Sequence, residues 1–211
     1  MFDTLFPRRA LMASSLVTVA LFAAPAIAAA TPEALVRQIS VDVIDAVKAD
    51  KAIQAGDLGR ITALVDSKVM PSVNFEVATR SAVGPQWRQA TPEQRSKLQT
   101  EFKGLLLRLY AGALTQLKDQ TVSVTRTLPA QGSTQVVVQT EVRGSGEPIK
   151  LDYRLDKAGE GAAAGWKIID VNVGGIWLVQ NYRSQFAGEI TKGGIDGLIN
   201  TLVERNKASG K

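Results

Sequence analysis

Asp170 and Tyr153 are the side chains best suited to acid–base chemistry in this chain. A carboxylate base and a phenolic donor inside an apolar cone can isomerise or dehydrate a small apolar substrate. The surrounding inventory argues against that reading. Asp152, Asp156 and Lys150 alternate with Leu151, Tyr153 and Leu155, which puts the charges on the polar face of a strand. The 211 residues include no His and no Cys. That excludes a Ser-His-Asp triad, a Cys nucleophile, an imidazole base and a His- or Cys-built zinc site. No catalytic residue or metal ligand stands out, so the composition favours binding over conversion.

The elements that would carry a binding site fall into a helical part at 31–118, strands at 120–173 and a helical tail at 176–207. Thr31-Pro32-Glu33 opens a helix by an N-cap and a first-turn proline. Leu35, Ile39, Val43 and Val47 repeat along it, and Gly56 is its expected end. Asp57 caps a short helix to Leu64, and a third helical segment is expected over Val69–Val83. Thr91-Pro92-Glu93-Gln94 is a capping box that starts a long helix to about Lys118. On that helix Phe102, Leu105, Leu109 and Ala113 form one apolar stripe, and Leu106, Tyr110, Leu114 and Leu117 form the next. An ordinary amphipathic helix shows an arc of roughly 100°. This one is wider, so it is either buried on two sides or lines a cavity.

From Gln120 the apolar period shortens to two. Strands are expected around Val122–Val124, Val136–Val142, Ile149–Leu155 and Trp166–Val173, joined by short connections that favour antiparallel pairing. After Gly174-Gly175 helices resume, from Ile176 and again from Ile195. The expected fold class is α+β, with a four-stranded antiparallel sheet and helices on its apolar face. The apolar faces allow either a filled core or an internal pocket, and the pattern by itself fits both.

Residues 1–28 read as a cleaved signal peptide. Arg8-Arg9 precede an uncharged stretch, Ala10–Ala24, too short for a bilayer span of about 20 residues. Ala26-Ile27-Ala28 is an A-x-A cleavage pattern, with cleavage after Ala28 or Ala30. The remainder forms one domain, 31–207. The net charge of +5 is spread along the chain, unlike the clustered basic face of a nucleic-acid binder. Mild positive charge suits anionic lipid surfaces or acidic partners.

Two long stretches carry a resemblance. Val69-Met70-Pro71-Ser72-Val73-Asn74-Phe75-Glu76-Val77-Ala78-Thr79-Arg80 leads to Gly84-Pro85-Gln86-Trp87-Arg88 and Thr91-Pro92-Glu93-Gln94-Arg95. Trp166-Lys167-Ile168-Ile169-Asp170-Val171 is followed by Gly175-Ile176 and Asn181-Tyr182-Arg183-Ser184-Gln185-Phe186. In this order they resemble the MlaC, or toluene-tolerance auxiliary, family, from about Thr31 to Asn206. The resemblance implies an NTF2-like sheet with helices around a hydrophobic pocket. It implies a periplasmic, monomeric phospholipid carrier with a diacyl phospholipid as ligand, no cofactor and no enzymatic activity. It also implies two partners: an outer-membrane lipoprotein complex and an inner-membrane ABC transporter with a lipid-binding subunit. Expected tail contacts are Val73, Phe75, Phe102, Leu105, Leu106, Leu109, Tyr110, Val138, Leu151, Tyr153, Val171, Ile176 and Leu178, with Arg80 and Arg88 for a headgroup. Asn74 replaces a frequent Asp, and Trp177 a small residue, where a large ring can intrude on a pocket. The same NTF2-like sheet could instead host the isomerase or dehydratase chemistry of Asp170 and Tyr153. An open cleft of this kind could also hold lipoproteins or peptides.

Overall fold

The structure is a computed structural model that describes residues 31–117, 119–130, 134–159 and 165–208. The expected signal peptide, its cleavage point and Lys118 lie outside the described residues. Among the described residues six α-helices and five strands follow in order: α1 (Pro32–Ala49), α2 (Lys51–Gln54), α3 (Leu58–Leu64), α4 (Phe75–Val83), α5 (Pro92–Thr115), β1 (Thr121–Pro129), β2 (Val136–Arg143), β3 (Ile149–Ala158), β4 (Gly165–Val173), β5 (Ile176–Trp177) and α6 (Leu178–Ala208). Among the described residues no helix is long and apolar enough to cross a membrane.

The helix starts follow the side-chain chemistry. Thr31 Oγ1 accepts from the Ala34 N–H, and Thr91 and Gln94 form the reciprocal capping box of α5. The first expected helix, however, breaks at Asp50 rather than running to Gly56. Asp50 has extended backbone angles, and its carboxylate accepts from the Ala52 and Ile53 N–H groups to start α2. The expected helix over Val69–Val83 is also divided. Val65–Val69 is a π-helical turn and Met70–Ser72 a 3-10 turn, and Pro71 withholds an N–H donor. Val73 is extended and bridges to Ile168, and only Phe75–Val83 is α-helical.

The sheet has the antiparallel order β1-β2-β3-β4-β5, one strand more than expected. The extra strand arises at Gly174 and Gly175, with φ of 58° and 95°. These left-handed angles suit glycine and reverse the chain within two residues. Ile176 therefore pairs with Val173, and Trp177 with Asn172, instead of starting a helix. α6 begins at Leu178 and is broken at Gly194, where φ is 66°. Its second part carries Leu198, Ile199 and Leu202 into the core.

Three apolar clusters hold the elements together. Phe102, Leu105, Trp87, Tyr182, Phe186 and Leu202 pack where α4, α5 and α6 meet. Val36, Val138, Leu155 and Ile168 join α1 to the sheet. Val47, Ile53, Ile61 and Leu64 close α1 to α3 and receive Leu107, Ala111 and Leu114 from α5. The long helix thus serves two cores on two sides, which explains its wide apolar arc.

Phe186 is 1 % exposed and meets Phe102 edge-on at 5.2 Å between ring centres. Phe186→Ala is expected to destabilise the fold by about 3–5 kcal/mol in urea denaturation. Ser184→Ala, at an exposed position on the same helix, should stay within about 0.5 kcal/mol of the parent.

Candidate functional site

A cavity of about 350 Å³ lies where the three clusters meet. Five parts of the chain wall it. Val65, Val69, Met70 and Val73 come from the segment before α4, and Phe75 and Ala78 from α4. α5 contributes Phe102, Lys103, Leu106, Leu107, Tyr110, Ala113 and Leu114, so the cavity follows this helix for about 18 Å. Leu151, Val173 and the run Ile168–Val171 belong to the sheet, and Leu178 and Val179 open α6. Phe102, Ile168 and Ala78 are buried and form the deep part. Ala113 is exposed, and Lys103 is only partly buried, so the wall reaches solvent near both.

The wall is held in place by polar contacts outside the cavity. The Asn74 N–H donates to the Ile168 carbonyl (2.8 Å), which fixes the segment before α4 against β4. The Asn74 side chain accepts from the Val77 N–H (3.2 Å) as the α4 cap. Asn is among the strongest N-cap residues, with Asp and Ser. Asp170 Oδ1 accepts from the Val171 N–H (2.9 Å) and the Val179 N–H (3.0 Å), tying the start of α6 to β4. Arg154 Nη1 approaches Asp170 Oδ2 at 3.4 Å. The Trp177 ring lies 4.2 Å from the Arg154 guanidinium carbon. It stacks on the Arg154 guanidinium and is absent from the cavity wall.

Eight of the thirteen expected contacts line the cavity: Val73, Phe75, Phe102, Leu106, Tyr110, Leu151, Val171 and Leu178. Five do not. Leu105 is buried in the α4–α5–α6 cluster and Val138 in the α1–sheet cluster. Tyr153 packs against that second cluster beside Ser40, and burial pushes its hydroxyl up to about 12. Leu109 and Ile176 are 57 % and 58 % exposed. Their stripes suggested burial, but Leu109 lies beyond Leu98–Leu106, the part of α5 in the helical cluster, and Ile176 sits in the short edge strand. Arg80 and Arg88 are exposed and also lie off the wall.

Leu107, Leu114, Val69 and Lys103 are wall residues outside the expected set. The first two belong to the widened stripe of α5, where pattern gives the arc but not which part faces a void. Lys103 had no apolar signal. Its Nζ donates to Asp66 Oδ1 at 2.8 Å.

The acid–base pair is not assembled. Tyr153 pairs with Val171, and Arg154 with Asp170, so Tyr153 and Asp170 extend from opposite faces of the sheet. Asp170 lies along the wall, but its carboxylate is engaged by two N–H groups and Arg154. Tyr153 is absent from the wall.

Burial raises the Asp170 carboxyl above its ordinary value and outweighs the Val179 and Val171 N–H groups and the Arg154 charge, all of which lower it. An acid with a higher pKa in the folded state keeps its proton longer when folded. Its contribution to stability is present below the unfolded value of about 3.9 and is lost as pH rises through the folded value. The stability of the parent minus that of Asp170→Asn should therefore decline as pH is raised from about 3.9, in urea denaturation at a series of pH values. A difference that grows with pH would show that the Arg154 pair outweighs burial.

Residues 37–204 match the family model described as MlaC protein. The chain is 26 % identical to the toluene tolerance protein ttg2D of Pseudomonas putida, over 92 % of each chain. It is 24 % identical to the intermembrane phospholipid transport system binding protein MlaC of Haemophilus influenzae, over 85 % of this chain and 84 % of that one. A phospholipid-binding protein from Ralstonia solanacearum, solved in complex with a phospholipid, superposes with a TM-score of 0.79. It is 42 % identical, with 85 % of this chain and 98 % of that chain covered.

Proposed function

The chain belongs to the MlaC family, and we propose that it is a soluble phospholipid carrier of the periplasm. The observation that carries this reading is the apolar cavity between sheet and helices, in the fold of a relative solved with a phospholipid. Leu106, Leu151, Leu178 and the other wall residues would hold the acyl tails. The five-stranded sheet with helices on its apolar face is taken as NTF2-like. The carrier would work as a monomer, exported by its first 28 residues. It would pass lipid between an outer-membrane lipoprotein complex and the lipid-binding subunit of an inner-membrane ABC transporter, and so maintain outer-membrane lipid asymmetry. The separation of Asp170 from Tyr153 supports a carrier over an enzyme.

The physics of such a carrier is a balance. Each buried methylene is worth about 0.8 kcal/mol, so a two-chain lipid has roughly 20–25 kcal/mol at stake on leaving a bilayer. The carrier must offer nearly equal apolar burial to extract the lipid, and not much more if it is to deliver it. At about 30 Å³ per small group, the cavity has room for roughly a dozen methylenes. That is fewer than two long tails contain. The cavity opens to solvent near Ala113 and Lys103, so tails can extend past it, and α5 is the wall shared by both helical cores.

Leu106→Asp places a carboxylate in the wall, where an unpaired charge is strongly disfavoured beside hydrocarbon. The delipidated protein, incubated with phospholipid vesicles and then separated from them, should carry lipid. The Leu106→Asp variant, shown folded by circular dichroism, should carry at least about tenfold less, a difference of about 1.4 kcal/mol. Equal loading of the folded variant would remove the cavity from the proposed function.

A further inference from the structure

Arg80 and Arg88, expected at a headgroup, lie off the cavity wall but close to a third arginine. Gly84 ends α4 and donates its N–H to the Arg80 carbonyl, and the 3-10 turn that it opens, Gly84–Gln89, carries Arg88. α6 packs against both elements, and a Cβ placed at Gly84 would stand 3.7 Å from Arg183 Nε. Arg80, Arg88 and Arg183 thus belong to one stretch of surface around Gly84.

All three are exposed, and among the described residues none pairs with a carboxylate. The acids on the neighbouring segments do not neutralise them. Glu76 stands one turn before Arg80, and Glu93 lies in the first turn of α5, but neither forms an ion pair with these arginines. Glu189, further along α6, is engaged by Lys192 and Thr201. The guanidinium of Arg95 adds charge nearby, 5.4 Å from the centre of the Trp87 ring. Like charges gathered without a counter-charge repel one another, and an acidic partner would relieve that repulsion.

The surroundings indicate which kind of partner. Tyr182 and Phe186 turn into the core, which leaves Asn181, Ser184 and Gln185 exposed with Arg183. Gln86 and Gln89 flank Arg88. The exposed large apolar residues, Val41, Leu109, Leu128, Ile149 and Ile176, all lie outside α4, the 3-10 turn and α6. A surface that settles into a bilayer uses apolar side chains to enter the acyl boundary. This one offers guanidinium forks and amide groups, which suit the carboxylates and backbone of a protein.

We propose that Arg80, Arg88 and Arg183 form a docking surface for a partner protein that presents an acidic face. The surface rests on its own charges and does not require the carrier reading. Its place in the fold bears on that reading all the same. Phe75 and Ala78 of α4 and Leu178 and Val179 of α6 line the cavity, so a partner seated on the arginines holds two of the elements that wall it.

The test places the photo-reactive residue benzoylphenylalanine at Ser184 of the full chain, irradiates the producing cells and identifies the cross-linked peptides by mass spectrometry. The expected product is a partner protein joined through a segment rich in Asp and Glu. Arg80→Glu, Arg88→Glu and Arg183→Glu together should lower its yield at least about tenfold, while Lys48→Glu with Lys150→Glu, on α1 and β3, should leave it within about twofold. Arg80→Glu with Arg88→Glu serves if the triple variant fails to fold. The purified parent and the protein so identified should also bind less tightly as salt is raised. No cross-linked protein, a second copy of this chain as the product, attachment to lipid alone, or an unchanged yield in the folded reversed variant would each overturn the docking surface. Bound lipid, read by native mass spectrometry of the same variants, tests the carrier reading separately and should survive the reversal.

Discussion

An apolar void is the constraint on which this architecture turns. α5 feeds a helical core on one side and the α1–α3 core on the other, and neither closes over Leu106, Tyr110 and Leu114 between them. Apolar wall left unburied forgoes about 25 cal/mol per Å², so holding this cavity open costs stability. Water relieves little of the cost, because the wall offers few polar partners. Hydrocarbon would relieve most of it. The empty protein is therefore poised to take up an apolar guest, and the guest would be part of the packing that completes the core.

A void of this kind persists only if its walls are held apart, and polar contacts outside the cavity do this. Asp170 fastens the start of α6 to β4 through the Val179 N–H. Asn74 fastens the segment before α4 to the same strand at Ile168. β4 thus anchors two opposite parts of the wall. Trp177 stacks on the Arg154 guanidinium and stays out of the cavity wall, while burial raises the Asp170 carboxyl. The cavity has an apolar wall because the groups that position it are turned outward.

Much of this was legible in the chain. The capping box of α5, the alternation of Ile149, Leu151, Tyr153 and Leu155, and the i, i+3, i+4 pattern around Leu198 led to the right elements, because local chemistry decides them. The wide arc of α5 also foretold either double burial or a cavity, and the helix has both. What the pattern could not supply was tertiary. Leu105 and Leu106 are adjacent and equally apolar, yet one meets α6 and the other the void. Leu109 continues a buried stripe past the end of its cover. β5 is only two residues long and depends on the backbone angles of Gly174 and Gly175, which composition does not reveal. Lys103 and Arg108 carry no apolar signal, and only the fold places them beside cavities.

The central claim is that hydrocarbon tails complete this core. The most direct measurement is native mass spectrometry of the protein purified from its producing cells without detergent, with solvent extraction of what remains bound. The account predicts one phospholipid mass per chain, released on denaturation. A homogeneous empty protein, stably folded and unable to take up lipid from vesicles afterwards, would contradict it.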